Sequence, residues 1–178
     1  NYYGILDQAG SPSHYYRSPL WYAWKMMQKM GGMTPGAPML RVVVEGPINA
    51  ATDHKTGVSS PWMEAYAVGD DDAFQILLIN RSFDPHEVNV SMPRQDPRQK
   101  TFKATRYVFS KDRVAPFIGS PAGANYDGYF RGGPEDDTQT TCLDPVDAPP
   151  LTVQGETLLL TGLVCPPISL TVLRFEGQ

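Results

Sequence analysis

The chain is poor in charge. Its 178 residues carry 15 Lys and Arg against 19 Asp and Glu, 19% charged in all, for a net charge of −4. Without a basic surplus it offers no surface to phosphate backbones or anionic headgroups, which sets nucleic-acid partners aside. Long hydrophobic runs are missing too. Val42–Val44 and Leu158–Leu160 are strand-length, far short of the ~20 residues that cross a bilayer, so no membrane partner is expected. Only two cysteines occur, Cys142 and Cys165, and neither has a second cysteine or a histidine at zinc-ligand spacing. The three histidines, His14, His54 and His86, are scattered, and no Ser-His-Asp set or metal cluster can be assembled from them. Asp70, Asp71 and Asp72 are consecutive and lack the spaced ligands of a calcium loop. No metal and no cofactor is expected. The chain opens at Asn1 without a charged n-region or an apolar signal core, so it reads as a mature form, a fragment or a cleavage product.

What the chain does have is punctuation: 17 prolines and 16 glycines spread among apolar strands, the mark of many turns. One segment stands apart. In "RSPLWYAWKMMQKMGG", Arg17 to Gly32, Ser18 is a good N-cap, Pro19 fits the first helical position and Gly31 supplies a stop. Leu20, Ala23, Trp24, Met27 and Met30 fall at helical spacing on one face, widened by Trp21 and Tyr22. A face so aromatic needs a partner surface.

From about Met33 the period changes to that of strands. Leu40 to Glu45 alternates, and Trp62 to Val68 alternates again. "GDDDA" turns the chain into the nearly all-apolar "FQILLIN", which reads as a central strand. "HEVNVSM" puts Val88, Val90 and Met92 on one side and Glu87, Asn89 and Ser91 on the wet side. "TFKATRYVFS" is a further strand, followed by a long Gly-, Pro- and Asp-rich stretch from Lys111 to Pro150. The final strands "ETLLLTGLV" and "ISLTVLRF" are separated by Cys165-Pro166-Pro167. Seven or so strands at this spacing predict a mainly β chain, an antiparallel β-sandwich preceded by one α-helix.

This order of elements resembles the C-terminal end of clan A glycoside hydrolases of the β-xylosidase, α-L-arabinofuranosidase and β-glucuronidase types, in which a (β/α)8 barrel is followed by a β-sandwich. Arg17-Ser18-Pro19-Leu20-Trp21-Tyr22-Ala23 resembles their K-P-x-Y-Y-A approach to the last barrel helix, with Gly31-Gly32 at its end. Pro166, Pro167, Ser169, Thr171, Val172 and Leu173 are similar to their P-P-x-S-x-T-V-L final strand. "ILLINRSFDPHEVNVSM" resembles their segment of long strand, Asn, turn and short strand, where the sandwich crosses from one sheet to the other. The resemblance implies that residues 1–32 are the end of a barrel and 33–178 a C-terminal sandwich. It implies as partners the catalytic barrel of the same protein and a carbohydrate.

Such enzymes work with two carboxylates flanking the scissile bond, carried at the C-terminal ends of barrel strands. In the resembling families the acid/base glutamate follows an asparagine, whereas the five asparagines here precede Tyr, Ala, Arg, Val and Tyr. No catalytic residue is therefore expected in this chain, and both glutamates would lie upstream of Asn1. Glu45 and Glu64 remain as a carboxylate pair that nothing in the sequence brings together. If "YYGILD" is the end of the last barrel strand, Tyr2, Tyr3 and Asp7 sit near its mouth as sugar-contacting candidates, against the plainer reading of loop and core packing. Tyr126 and Tyr129, with Phe130, lie in the glycine-rich "NYDGYFRGG" and offer a stacking platform or simply pin a long loop.

Asn80-Arg81-Ser82 and Asn89-Val90-Ser91 match the N-glycosylation sequon, as suits a secreted glycoprotein. Cys142 and Cys165 either pair, a constraint worth roughly 3 kcal/mol in the chain-entropy account, or are two buried thiols. The leading expectation is the C-terminal part of a secreted glycoside hydrolase, an accessory sandwich supporting a catalytic barrel. The alternatives are a non-catalytic carbohydrate-binding sandwich and a structural extracellular module.

Overall fold

The structure, a computed structural model, describes residues 6–8, 15–17, 19–30, 36–46, 50–52, 55–57, 59–69, 73–93, 102–113 and 141–177. It is mainly β, with two antiparallel sheets face to face as a sandwich and one short helix ahead of them.

The larger sheet has five strands. Its spine is β12 (Ser169–Gly177), paired along its length with β7 (Ala73–Asn80) on one side and β9 (Phe102–Phe109) on the other. β6 (Met63–Gly69) adds to β7, and β3 (Met39–Leu40) to β6. The smaller sheet is β10 (Leu151–Gln154), β11 (Thr157–Cys165) and β8 (His86–Pro93), in that order. Two-stranded ribbons join β1 (Leu6–Gln8) to β2 (Tyr15–Arg17), and β4 (Ala50–Thr52) to β5 (Ser59–Pro61). The chain passes from the large sheet to the small one between β7 and β8, where the resemblance places that crossing.

Side chains of directly opposed residues share a face. The register therefore aligns Ala67, Ile76 and Leu173 in one row, and Phe74 and Phe175 in the next. These meet Val90 and Met92 of β8 and Leu158, Leu160, Leu163 and Cys165 of β11 to form the core. Phe74 stacks on Phe175 with ring centroids 4.5 Å apart and meets Phe102 edge-on at 5.5 Å, arrangements that add to the burial of the rings.

Beyond the β4–β5 ribbon, which forms in a stretch that reads as loop, two strands differ from the sequence expectation. The strand expected over Leu40 to Glu45 pairs only at Met39 and Leu40, opposite Val68 and Ala67; from Arg41 the chain leaves the edge of β6. β10 was not anticipated. It is held by a tight hairpin, with Gln154 opposite Thr157 and Gly155 at φ 60° taking up the left-handed turn.

Candidate functional site

The helix is the feature with surface left to use. α1 (Pro19–Lys25) begins at the proline that the sequence marks as its first residue, and a π-helical turn, Met26–Met30, continues it. Ser18 and Gly31, the expected cap and stop, lie outside the described residues. The π turn rests against β12 and β9. Val172 points away from the core-facing Leu173, yet it is only 2% exposed, because the helix covers the outer face of the large sheet at that point.

The buried residues of the helix are Tyr22, Ala23 and Met26; of the expected stripe Ala23 and the adjoining Tyr22 are among them, while Trp24 is not and the side chains of Leu20, Trp21 and Met30 lie outside the described residues. Tyr22 and Met26 are one turn apart and form the seat on the sheet, which turns Trp24 outward, 49% exposed. The helix thus has two working faces, one bound to its own sandwich and one presenting an indole. A half-exposed tryptophan on a seated helix suits protein docking or sugar stacking; it supplies no acid, base or nucleophile.

The outer face beside the helix is itself apolar. The register places Tyr66, Leu77, Val172 and Tyr107 in one outward row and Ile79, Leu170 and Phe109 in the next. Glu64 stands beside Ile79 in the second of these rows, and the outward row on the other side, Val68, Gln75, Arg174 and Thr105, is mostly polar, so the apolar outer surface is confined to the part beside the helix.

At the end of the sandwich, Asn80 ties the two crossing turns together. It is 1% exposed. Its Nδ2 donates to the carbonyls of Asp84 (2.9 Å), Cys165 (3.1 Å) and Pro166 (2.7 Å), and its Oδ1 accepts from the Ser82 backbone N–H and hydroxyl, each at 2.9 Å. Ser82 Oγ also lies 2.7 Å from His86 Nε2. That serine is buried, and its single hydroxyl proton is shared between Asn80 Oδ1 and the Asp84 carbonyl, 2.8 Å away, so the pair clamps a turn and presents no nucleophile. The Ile168 N–H donates to the Ser82 carbonyl, holding Ile168 at φ 44°, a strained conformation for a β-branched residue.

The expected glycan site at Asn80 is therefore corrected. A glycan on Nδ2 would break a buried hub and has no room there. Asn89 differs: it is exposed on β8, and its Oδ1 accepts from the Gly162 N–H at 3.1 Å. Sequence reasoning missed the hub because a sequon is a local signal that carries nothing about distant partners. The position of Asn80 at the end of an apolar central strand, ahead of turn residues, was the available signal.

Of the two readings open for Cys142 and Cys165, the structure has the second: both are buried thiols that no S–S bond joins. Burial pushes the Cys165 thiol above its ordinary value, opposed by the neighbouring Thr171 hydroxyl and by the nearby Arg106 guanidinium. Arg106 donates to the Val164 carbonyl. Burial lowers its pKa and the Arg113 charge lowers it further, with Cys165 pulling the other way.

Of the sugar-contacting candidates, Tyr2, Tyr3, Tyr126 and Tyr129 lie outside the described residues. Asp7 is in β1, opposite Tyr16. Glu64 is ion-paired with Arg81 and accepts from the Tyr66 hydroxyl at 3.3 Å, while Glu45 is exposed on the segment that leaves β6.

No protein-family model and no curated protein matches the chain. Among solved structures, it is similar to a GH30 endoxylanase from Clostridium papyrosolvens C71, at 13% identity and a TM-score of 0.44, over 90% of this chain and 28% of that one. It is similar also to CelM2, a bifunctional glucanase-xylanase from a metagenome library, at 12% identity and a TM-score of 0.40, over 90% of this chain and 22% of that one. A third is a family 44 xyloglucanase from Paenibacillus polymyxa, at 10% identity and a TM-score of 0.34, over 70% of this chain and 21% of that one. The chain thus spans less than a third of each of these structures, and likenesses of this size carry no argument about activity.

Proposed function

We propose that this chain is the C-terminal part of a secreted glycoside hydrolase, in which residues 1–32 close a catalytic (β/α)8 barrel and residues 33–178 form an accessory sandwich that buttresses it. The observation that carries the reading is the helix: seated on the sandwich through Tyr22 and Met26, it holds Trp24 half exposed on its other side, as a helix shared between two bodies does. The motif residues support it. Ser169, Thr171, Val172 and Leu173 fall in the spine strand, and Asn80 sits at the crossing between sheets. In this role the chain contributes rigidity and a docking face, while the carboxylates that cleave a glycosidic bond belong to the barrel. Secretion rests on the sequon at Asn89 alone, since Asn80 is buried.

The test is to read the coding sequence upstream of Asn1 and to express the chain with and without it. A barrel with two strand-end carboxylates is expected there, with activity on xylan or aryl glycosides confined to the longer polypeptide. Trp24→Ser should then cost the isolated chain within about 0.5 kcal/mol, as surface changes do, and the longer one about 2–3 kcal/mol, as loss of a buried aromatic does. An upstream sequence without a barrel, or equal costs in both forms, sinks the reading.

A further inference from the structure

Among the described residues five strands face three, and a slot of about 990 Å³ lies beside β8. Its walls include Met63, Ala65 and Phe74 from the large sheet and Val88 and Val90 from the small one. Every residue of β8 from His86 to Pro93 lines it, inward- and outward-facing alike, so the slot runs along the backbone edge of that strand. Among the described residues β8 pairs with β11 alone, and a strand edge without a neighbour presents N–H and C=O groups as a template for another strand.

Across the slot lies the segment Arg41–Glu45, which also lines it along its whole length. This segment leaves the edge of β6 after Leu40 and joins no ladder. It leaves Val42, Val43 and Val44 exposed at 37%, 64% and 40%. Three consecutive valines strongly favour strand, and Leu40 already faces the core side opposite Ala67, so the period of two sends Val42 and Val44 the same way. We propose that Arg41–Glu45 is a strap that closes onto the free edge of β8, making the small sheet four-stranded and sealing the slot with Val42 and Val44. Closing pairs two sets of idle backbone groups and buries apolar surface on both sides of the slot. In the closed form Val43 points outward beside Glu87, Asn89 and Ser91.

Cysteine pairs read this directly. Val43→Cys is combined in turn with Glu87→Cys, Asn89→Cys and Ser91→Cys on β8, and with Glu64→Cys on β6. One β8 pair should oxidise roughly tenfold faster than the β6 pair, because closure is a low-cost local motion, and the cross-link should abolish binding of 1-anilinonaphthalene-8-sulfonate. Faster or equal oxidation with Glu64→Cys, or dye binding that survives the cross-link, overturns the proposal. Native-state amide exchange supplies a cysteine-free reading. In the unaltered chain the amides of Val88–Ser91 should be protected, and Val42→Thr with Val44→Thr should speed their exchange roughly tenfold. Unchanged exchange overturns the strap, and so does protection that appears only with dimerisation at high protein concentration, which would give the edge to a second copy.

Discussion

β12 and β8 are antiparallel strands of 9 and 8 residues, yet they solve opposite problems. β12 has a neighbour on each side, the core on one face and the helix on the other, so Thr171, Val172 and Leu173 are buried in succession. Among the described residues β8 has one neighbour, and its exposed residues Glu87, Asn89 and Ser91 alternate with inward ones. Stability in this fold should concentrate where a strand is enclosed on all sides and thin out along the open edge. The lesson is that two stretches of similar apolar content differ in energetic weight by the number of surfaces that cover them.

The sharpest way to break the comparison is to cut the enclosed strand. Phe175→Ala removes a ring that is 0% exposed and stacked on Phe74, and should cost about 3–5 kcal/mol in denaturant unfolding. Val88→Ala, on the edge strand, should cost no more than about 1.5 kcal/mol. If the two costs are equal, the edge strand is enclosed by something further.

Two asparagines with the same tripeptide signature sharpen the comparison further. Asn80→Ala strips three carbonyls of their donor in a buried site and should cost about 2–3 kcal/mol, while Asn89→Ala at the edge should stay within about 0.5 kcal/mol. The measurement is the urea midpoint at unchanged slope. An Asn80→Ala cost as small as that of Asn89→Ala would mean the hub is held by its other bonds.

Glycines give the next contrast. A Cβ on Gly69, at φ 138°, would lie 2.4 Å from the Ala73 carbonyl oxygen and the Phe74 Cα, so the β6–β7 hairpin must shift and Gly69→Ala should cost about 2–3 kcal/mol. Gly162 sits in the irregular stretch of β11 between Leu160 and Leu163, at φ 72° with open space around its Cβ. Gly162→Ala pays for left-handed backbone alone, about 1 kcal/mol. Thermal melts of the two variants should rank them in that order.

These particulars show what was legible beforehand. The alternation of β8, the central place of β7 and the split at Pro166-Pro167 follow from local periodicity and turn chemistry, and the structure agrees with each. The helix was legible as a helix, and its buried face in part: Ala23 and Tyr22 are buried as the spacing suggests, whereas Met26 is buried and Trp24 is not, a choice set by the sheet the helix meets. Arg41–Glu45 reads as strand and yet is unpaired, since pairing depends on an edge elsewhere in the fold. At Asn80 the sequence offers only a sequon and not the hub, for the same reason: its partners, Cys165 and Pro166, lie 85 and 86 residues away.

The smallest effect is a slope with pH, and it tests the core that both sheets share. Cys165 closes β11 opposite His86 and faces that core at 1% exposure. Burial raises its thiol above the ordinary value of 9.0. The unfolded thiol therefore ionises first, so above about pH 9 the unfolded chain holds fewer protons than the folded one. The sign follows: the thiol's contribution is fully present below its ordinary value and is lost as pH rises towards the folded value. Arg106 stays cationic through that range and only moderates the rise. Urea unfolding from pH 8 to 10 should show a steeper fall in stability for the unaltered chain than for Cys165→Ala, whose own cavity cost is the same at every pH. Parallel curves would mean that Cys165 ionises as readily in the fold as out of it, which requires water at the join of β8 and β11 and would make this end of the small sheet as open as its free edge.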